Sequence, residues 1–298
     1  MATLRELKGR IGSVASSEKI TGAMKMISSA KMHKAEGILH KLQPFRECVQ
    51  TIIGNLLSSD AVVTSPFTEE RQAVRRVAVV VLGSDDGLCG AYNVNIFKGL
   101  VQTIADLRAK YGADVDIELL PVGKKLKRLI AKAAEGDAHL YAADVPENID
   151  SKSEGEPVKA FSQALERRFI AGELDRVELV YMHYFTAGRQ RLTVEGYLPV
   201  SQESLTGNSA KATGRPYLFE PDASTIFSTV IPMFVLAHLQ EAFAENRASE
   251  QAARVMAMQS ANDNAQKLLE QLQLEYNKLR QQGITNELLD IVGGQVRD

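Results

Sequence analysis

Tryptophan is absent from this 298-residue chain, and cysteine occurs only at Cys48 and Cys89. These two lie far apart, without a CxxC pair or a secretory leader, so neither a disulfide framework nor a zinc knuckle is written here, and a reducing compartment is expected. Long apolar runs are missing too. The longest is about the length of Val77–Leu82, well short of the ~20 residues that carry a helix across a bilayer. A formal net charge of -2 gives no overall footprint of nucleic-acid binding. Histidine is scarce. His33, His40, His139, His183 and His238 show no HExxH and no paired ligand spacing, so neither a catalytic metal nor another cofactor is expected.

Glycine and proline are absent from one long stretch, and that absence organises the reading. Between Met233 and Gln282 neither residue occurs, so nothing local forces the backbone out of a helix. Within it Val255, Met258, Asn262, Ala265, Leu269, Leu272, Tyr276 and Leu279 alternate three- and four-residue steps, a heptad seam that needs a partner helix. Fifty helical residues are ~75 Å long, against roughly 50 Å for the diameter of a compact globule of this chain length. Protrusion of the helix is therefore expected.

The N-terminal region offers the mate. Leu4, Leu7, Ile11 and Val14 share one helical face; Ile20, Ala23, Ile27 and Ala30 read as a second block after a register shift. Met32, Ala35, Leu39, Leu42, Val49, Ile53 and Leu56 form a third, with Arg46 at one seam position. Thr3 and Glu6 are spaced as a capping box. Pro44 predicts a bend near His40 to Leu42. Two such helices joined through a common middle run antiparallel, and the longer C-terminal one overhangs its partner from about Gly283 to Val292 with an apolar tip.

The middle changes character. Arg76–Gly83 and Val115–Val122 read as buried strands, Asn95–Tyr111, Lys124–Ala134 and Pro157–Gly172 as helices, and Arg176–Phe185 with Gln190–Leu198 as a hairpin around Ala187-Gly188. The fold class is α/β: a long antiparallel N- and C-terminal helical coiled coil with an inserted Rossmann-like α/β domain. Boundaries are expected at 1–58 for the first shaft helix, 59–74 for a linker, 75–205 for the globular foot, 206–222 for a second linker and 223–298 for the second shaft helix.

Chemistry is hard to find in that middle. The loop Gly83–Asn93 spaces its glycines G-x-x-x-G-x-x-G, which is neither the dinucleotide fingerprint nor a P-loop, and no Lys-Ser/Thr pair follows. Cys89 reads as a small buried thiol, with His183 left open as a spatial partner; Asp85 and Asp86 read as turn residues. Charge is more telling. The first 46 residues hold nine Lys or Arg against three Glu, and Met24, Met26 and Met32 are interleaved with Lys19, Lys25, Lys31 and Lys34. That face suits either solvent or a partner with acidic loops. It has no aromatic residue before Phe45 for stacking bases, so nucleic acid is not the expected partner.

At this level the residues match a family. ITGAMKMISSAKMHKAE (Ile20–Glu36), SDDGLCGAYN (Ser84–Asn93), YLFEPD (Tyr217–Asp222), SEQAARVMAMQSANDNA (Ser249–Ala265) and YNKLRQQGITNELLDIVGG (Tyr276–Gly294) resemble the γ subunit of F-type ATP synthase, bacterial type. The resemblance implies a non-catalytic central rotor shaft. It would turn inside a hexamer of α and β subunits, with the foot near the ε subunit and the c-ring of Fo, and would meet the membrane only through that ring. It further implies contacts to β from Met24, Lys25, Arg254, Arg280, Gln281 and Thr285, a hexamer bearing at Leu288, Ile291 and Val292, and a c-ring or ε side at Tyr217 and Glu220. Asp86 and Ala91 depart from the family pattern, which usually has a basic residue and a glycine there, and no plastid-type dithiol insertion is present. Met1 followed directly by the shaft helix points to the cytoplasmic face of a bacterial inner membrane, with the matrix face of a mitochondrial inner membrane as the alternative.

Overall fold

A computed structural model describes residues 3–58, 63–206 and 218–295, with side chains through Leu289. It has two compact units: residues 1–29 with 254–298, and residues 30–253. Helix α1 spans Leu4–Leu57 and helix α6 spans Ala223–Gln295, so each contributes to both units.

The capping box opens α1 as its spacing requires. The Thr3 amide donates to Glu6 Oε2 (2.8 Å) and the Glu6 amide to Thr3 Oγ1 (3.3 Å), satisfying two otherwise orphaned donors. α-Helical backbone continues through Pro44. Along α1 the inward positions are Leu7, Ile11, Val14, Glu18, Thr21, Lys25 and Ser28 in the first unit, and the same steps run on through Met32, Ala35, Leu39, Leu42, Arg46, Val49, Ile53 and Leu56. This corrects the expected register shift. Ile20, Met26 and Ile27 are 60%, 69% and 56% exposed, and Ala23 is exposed with them. The seam holds its register and simply becomes polar, so a second apolar stripe with the same spacing is left on the outside.

In α6 the inward set is the one read from the sequence: Met258 and Leu272 are buried, and Val255, Asn262, Ala265, Leu269, Tyr276 and Leu279 are half-buried. The two helices are antiparallel in the first unit. Asn262 Nδ2 donates to Glu18 O (2.8 Å) and Thr21 Oγ1 (3.3 Å), and Gln266 Nε2 to Glu18 Oε1 (3.3 Å). Gly22 faces the same amide: a Cβ there would meet Asn262 Nδ2 at 3.4 Å, an ordinary van der Waals contact. Carrying this register to the start of α1 sets Leu4 beside about position 280, so the last turns of α6 continue past the end of their partner. Ile284, Leu288 and Leu289 are exposed there. The helix also includes Pro232 and runs through Gly283 to Gln295, longer than the glycine-free and proline-free stretch alone suggests.

The second unit is a five-stranded sheet of order β3-β2-β1-β4-β5, from β1 (Arg76–Leu82), β2 (Asp116–Val122), β3 (Leu140–Ala142), β4 (Arg176–Thr186) and β5 (Arg189–Leu198). All pairings are parallel except the β4–β5 hairpin. Helices α2 (Tyr92–Tyr111) and α3 (Lys124–Ala134) pack on one face with Val77, Val79, Val81, Ile117 and Leu119. Helix α4 (Glu156–Ile170) covers the other face, together with Val49, Ile53 and Leu56 of α1 and the apolar positions of α6 from Phe227 to Phe243. β1 is covered on both faces, which is why it reads as an unbroken apolar run rather than an alternating one. The three-residue edge strand β3 and the one-turn helix α5 (Gln202–Thr206) are too short to leave a period in the sequence.

One 18-residue window of α6 has a mean hydropathy of 1.4, as apolar as a membrane span, although no long unbroken run is present. Its composition has a core explanation. Phe227, Ile231, Phe234, Val235, Leu239 and Phe243 all lie in the core against the sheet.

Gly123, between β2 and α3, has φ +107°, and a Cβ there would sit 2.9 Å from Ser84 O. Gly112 has a similar φ of +105° but open space around it. Ala at either position costs about 1–3 kcal/mol from backbone strain, and Gly123→Ala costs more because the opposing atom is backbone. Urea denaturation of the two variants measures the difference; equal losses would remove the role given to the Ser84 contact.

Candidate functional site

In a doubly wound sheet, ligands bind beyond the C-terminal strand ends where the strand order reverses. Here that point lies between β1 and β4, with the Gly83–Asn93 loop directly above it. The chain fills this crevice with its own helix. Asn246 Nδ2 donates to Gly83 O (3.0 Å), Tyr92 Oη donates to Asn246 Oδ1 (2.7 Å) and lies 2.9 Å from Asn246 O, and Ser249 Oγ donates to Met182 O (2.9 Å). Asn246, Ser249 and Tyr92 are all buried.

The loop is likewise internally committed. Ser84 N donates to Asn93 Oδ1 (3.1 Å), Asn93 Nδ2 to Ser84 Oγ (2.7 Å), and Ser84 Oγ to Asp86 O (2.9 Å). Asp85 does more than serve its own turn. Its Oδ1 accepts from the Lys124 amide (3.0 Å), and its Oδ2 from the Ser151 amide (3.0 Å) and hydroxyl (2.8 Å), tying the loops after β1, β2 and β3 together. Asp86 pairs with Lys152 at 3.0 Å. The Cys89 thiol is buried 3.6 Å from Asn93 Nδ2 and 3.8 Å from Ser84 Oγ. His183, left open as its partner, bonds Glu245 instead. The polar side chains Ser84, Asp85 and Asn93 of this loop serve as structural cross-bracing. Among the described residues no group of three His, Cys, Asp or Glu is arranged to hold a metal ion.

The exposed face of α1 is a second candidate, of a different kind. On α1, Ile20, Ala23, Met26 and Ile27 form the outer stripe, flanked by exposed Lys19 and Lys31. Contiguous exposed apolar groups rimmed by charge mark protein-binding faces. Met24 and Lys25 are half-buried, Lys25 on the inner seam; the more accessible neighbours are Met26, already part of the expected methionine face, and Ile27, which the spacing alone places on the inner seam. Their signal was present: two apolar stripes with one spacing cannot both face a single partner helix.

Arg280, Gln281, Thr285 and Leu288 are exposed near the end of α6; Thr285 Oγ1 donates to Gln281 O (2.9 Å). Ile291 and Val292 lie on helical backbone, with side chains outside the described residues. Arg254 is buried. Glu220 is exposed two residues before the Asp222 cap of α6, whose Oδ1 accepts from the Thr225 amide at 2.9 Å; Tyr217 lies outside the described residues.

A family model described as ATP synthase matches residues 3–296. The chain is 40% identical over 297 residues to the ATP synthase gamma chain of Bacteroides fragilis, covering 99% of this chain and 100% of that one. It is 36% identical over 295 residues to the ATP synthase gamma chain of Flavobacterium psychrophilum, covering 99% and 98%. Its fold is similar to a chain of the Euglena gracilis mitochondrial ATP synthase OSCP/F1/c-ring assembly, with a TM-score of 0.62 and 19% identity over 98% of this chain and 93% of that chain. It is also similar to a chain of the Tetrahymena thermophila mitochondrial ATP synthase central stalk/c-ring, with a TM-score of 0.55 and 23% identity over 81% and 99%.

Asn246→Ala leaves the Gly83 carbonyl without its buried side-chain donor and takes from the Tyr92 hydroxyl its side-chain acceptor, the Asn246 carbonyl remaining, and is expected to cost about 1–3 kcal/mol. Tyr92→Phe and Asn246→Ala each remove the same side-chain hydrogen bond, so the double variant should lose less than the sum of the singles. Chemical denaturation across the four-member cycle reads the coupling; strict additivity would mean the two side chains act independently.

Proposed function

Because the chain belongs to the ATP synthase gamma chain family, we propose that it is the central rotor shaft of an F-type ATP synthase, linking proton-driven c-ring rotation mechanically to ATP synthesis or hydrolysis in a hexamer of α and β subunits. It is a subunit of that complex and occupies its central stalk. It carries out no bond chemistry itself. Its partners are the α and β subunits, the ε subunit and the c-ring. With bacterial relatives of full length, it works as a peripheral component at the cytoplasmic face of the inner membrane.

The observation that carries this reading is the double striping of α1. One stripe pairs with α6 in the first unit and the other, apolar and flanked by lysines, is left exposed. A helix partnered on one face and greasy on the opposite face is suited to a surrounding protein sleeve. The switch-point crevice, closed by Asn246 and Ser249, supports the non-catalytic part of the reading.

Coupling follows from differential contact. A shaft whose faces differ favours one conformation of each β subunit at a given angle, so rotation and nucleotide affinity become linked free energies. Torque demands that the two helices not slide. Asn262 against Glu18 and Thr21 supplies a register pin at the polar part of the seam, the use for which a lone seam asparagine is best suited.

Ile20→Glu with Ile27→Glu should leave the stability of the free chain within about 0.5 kcal/mol, since both side chains are exposed, yet weaken assembly with co-expressed α and β chains on gel filtration. An intact hexamer with the doubly substituted chain would sink the sleeve assignment. Arg280→Glu in the assembled enzyme should leave ATP hydrolysis running while proton transport falls; pumping retained in full would remove Arg280 from the coupling surface.

A further inference from the structure

The densest set of titratable groups in the second unit has no part in any reading above. Four elements meet there. From α6 come His238, Glu241 and Glu245, the two glutamates one helical turn apart and both buried. From the hairpin come Tyr181, His183, Tyr184 and Glu195; from α1 come Glu36 and Arg46. They are paired throughout: His183 Nδ1 with Glu245 Oε2 at 2.5 Å, His238 Nε2 with Glu195 Oε1 at 2.8 Å, and Arg46 Nη1 with Glu241 Oε2 at 2.5 Å. Tyr181 Oη donates to Glu195 (2.7 Å), and Tyr184 Oη to Glu36, whose other oxygen meets His33 Nδ1 at 2.7 Å. A cavity of ≈ 370 Å³ reaches Glu36, His40, His183, Tyr184, Glu241 and Glu245, giving a path for protons.

Glu195, Glu241 and Glu245 are three carboxylates against Arg46, with Arg191 opposite His183 across the hairpin. With neutral imidazoles, Glu241 and Glu245 are adjacent like charges on a buried helix face and only one of them has a cationic partner. We infer that His183 and Glu245 form a proton-operated latch holding α6 on β4, closed while His183 carries its proton and loosened when the proton leaves.

The directions agree with the geometry. The hydrogen bond to Glu245 holds His183 above the usual imidazole range against the opposing effect of burial, helped by the Glu245, Glu195 and Glu241 charges. Burial pushes the Glu241 carboxyl up, with Arg46 pulling it down and Glu245 adding to the rise. Burial also pushes Glu195 up, but His238 and Tyr181 outweigh it and leave that carboxyl below its ordinary range. A group raised on folding, like His183, contributes stability that is complete below its unfolded value and is lost as pH rises through its folded value. Glu195 has the opposite sign and is lost on the acid side. The latch is therefore closed at mildly acidic to neutral pH and loosens toward alkaline pH. The consequence for coupling, a rotor helix less firmly held on its sheet at high pH, rests on the rotor reading; the latch itself does not.

Hydrogen exchange of the full chain, corrected for the intrinsic pH dependence of exchange, tests it on amides 238–250. Protection there should fall between pH 6 and pH 9, by about tenfold for each unit by which His183 is raised. His183→Gln should already be weakly protected at pH 6 and nearly flat with pH, whereas His33→Gln, altering an exposed pair, should behave as wild type. Equal protection of wild type at both ends of the range, or an unchanged profile in His183→Gln, would overturn the proposal. NMR titration of the His183 ring in the unsubstituted chain decides the matter if the variant does not fold: a pKa at or below the ordinary value removes the latch. Coupling in the assembled enzyme that does not change between pH 6 and pH 9, with exchange behaving as stated, would overturn the rotor consequence alone.

Discussion

The structure depends on a single geometric constraint: a helix of 54 residues must keep one line of side chains facing inward over its whole length. Local propensity cannot hold such a helix in water, so burial has to. From Leu7 to Leu56 the three- and four-residue steps never break. Where the seam is apolar, at Val49, Ile53 and Leu56, it joins the core against the sheet. Where it is polar, at Glu18 and Thr21, it meets α6 through hydrogen bonds instead. One unbroken register thus serves two environments, and the change lies in residue type rather than in geometry.

The sheet shows the same economy. Its order and crossovers are those of a nucleotide-binding fold, but α6 passes through the place a nucleotide would occupy. Fold class therefore gives no guidance to function here, and the decisive facts are three buried side chains, Tyr92, Asn246 and Ser249. Filling the crevice also fastens α6 to the strand ends. A site lost for chemistry becomes an attachment for a helix.

Much of this was legible from spacing alone. The α6 seam, the α3 limits at Lys124 and Ala134, the capping box and the hairpin followed from periodicity and turn chemistry. The outer stripe of α1 did not, because Ile20, Ala23 and Ile27 have the spacing of a seam, and hydrophobicity alone favours them over Glu18, Thr21 and Lys25. Burial of a polar seam is a tertiary outcome. β3 escaped because three residues carry no period, and the work of Asn246 escaped because its partners Gly83 and Tyr92 lie more than 150 residues away. The Glu245 to His183 pair shares that difficulty: each residue alone reads as an ordinary surface group.

The polar part of the seam also sets what the helix pair can do. An all-leucine interface would be more stable, yet its knobs fit equally well one heptad along, so its register would be held only weakly. Replacing that stretch with Glu18, Thr21, Lys25 and Asn262 lowers the gain from burial, but a one-heptad slip would strand the Asn262 amide away from Glu18 O. Leaving a buried polar group unpaired costs roughly 1–3 kcal/mol, and the slip has no compensating contact. Resistance to sliding therefore comes from the residues that contribute least to hydrophobic stability. The outward apolar stripe sits over this same polar stretch. What the pair forgoes in its own interior at Glu18 to Lys25 it presents on its exterior at Ile20 to Ile27, so the most register-locked part of the rod is also the part best made to be gripped.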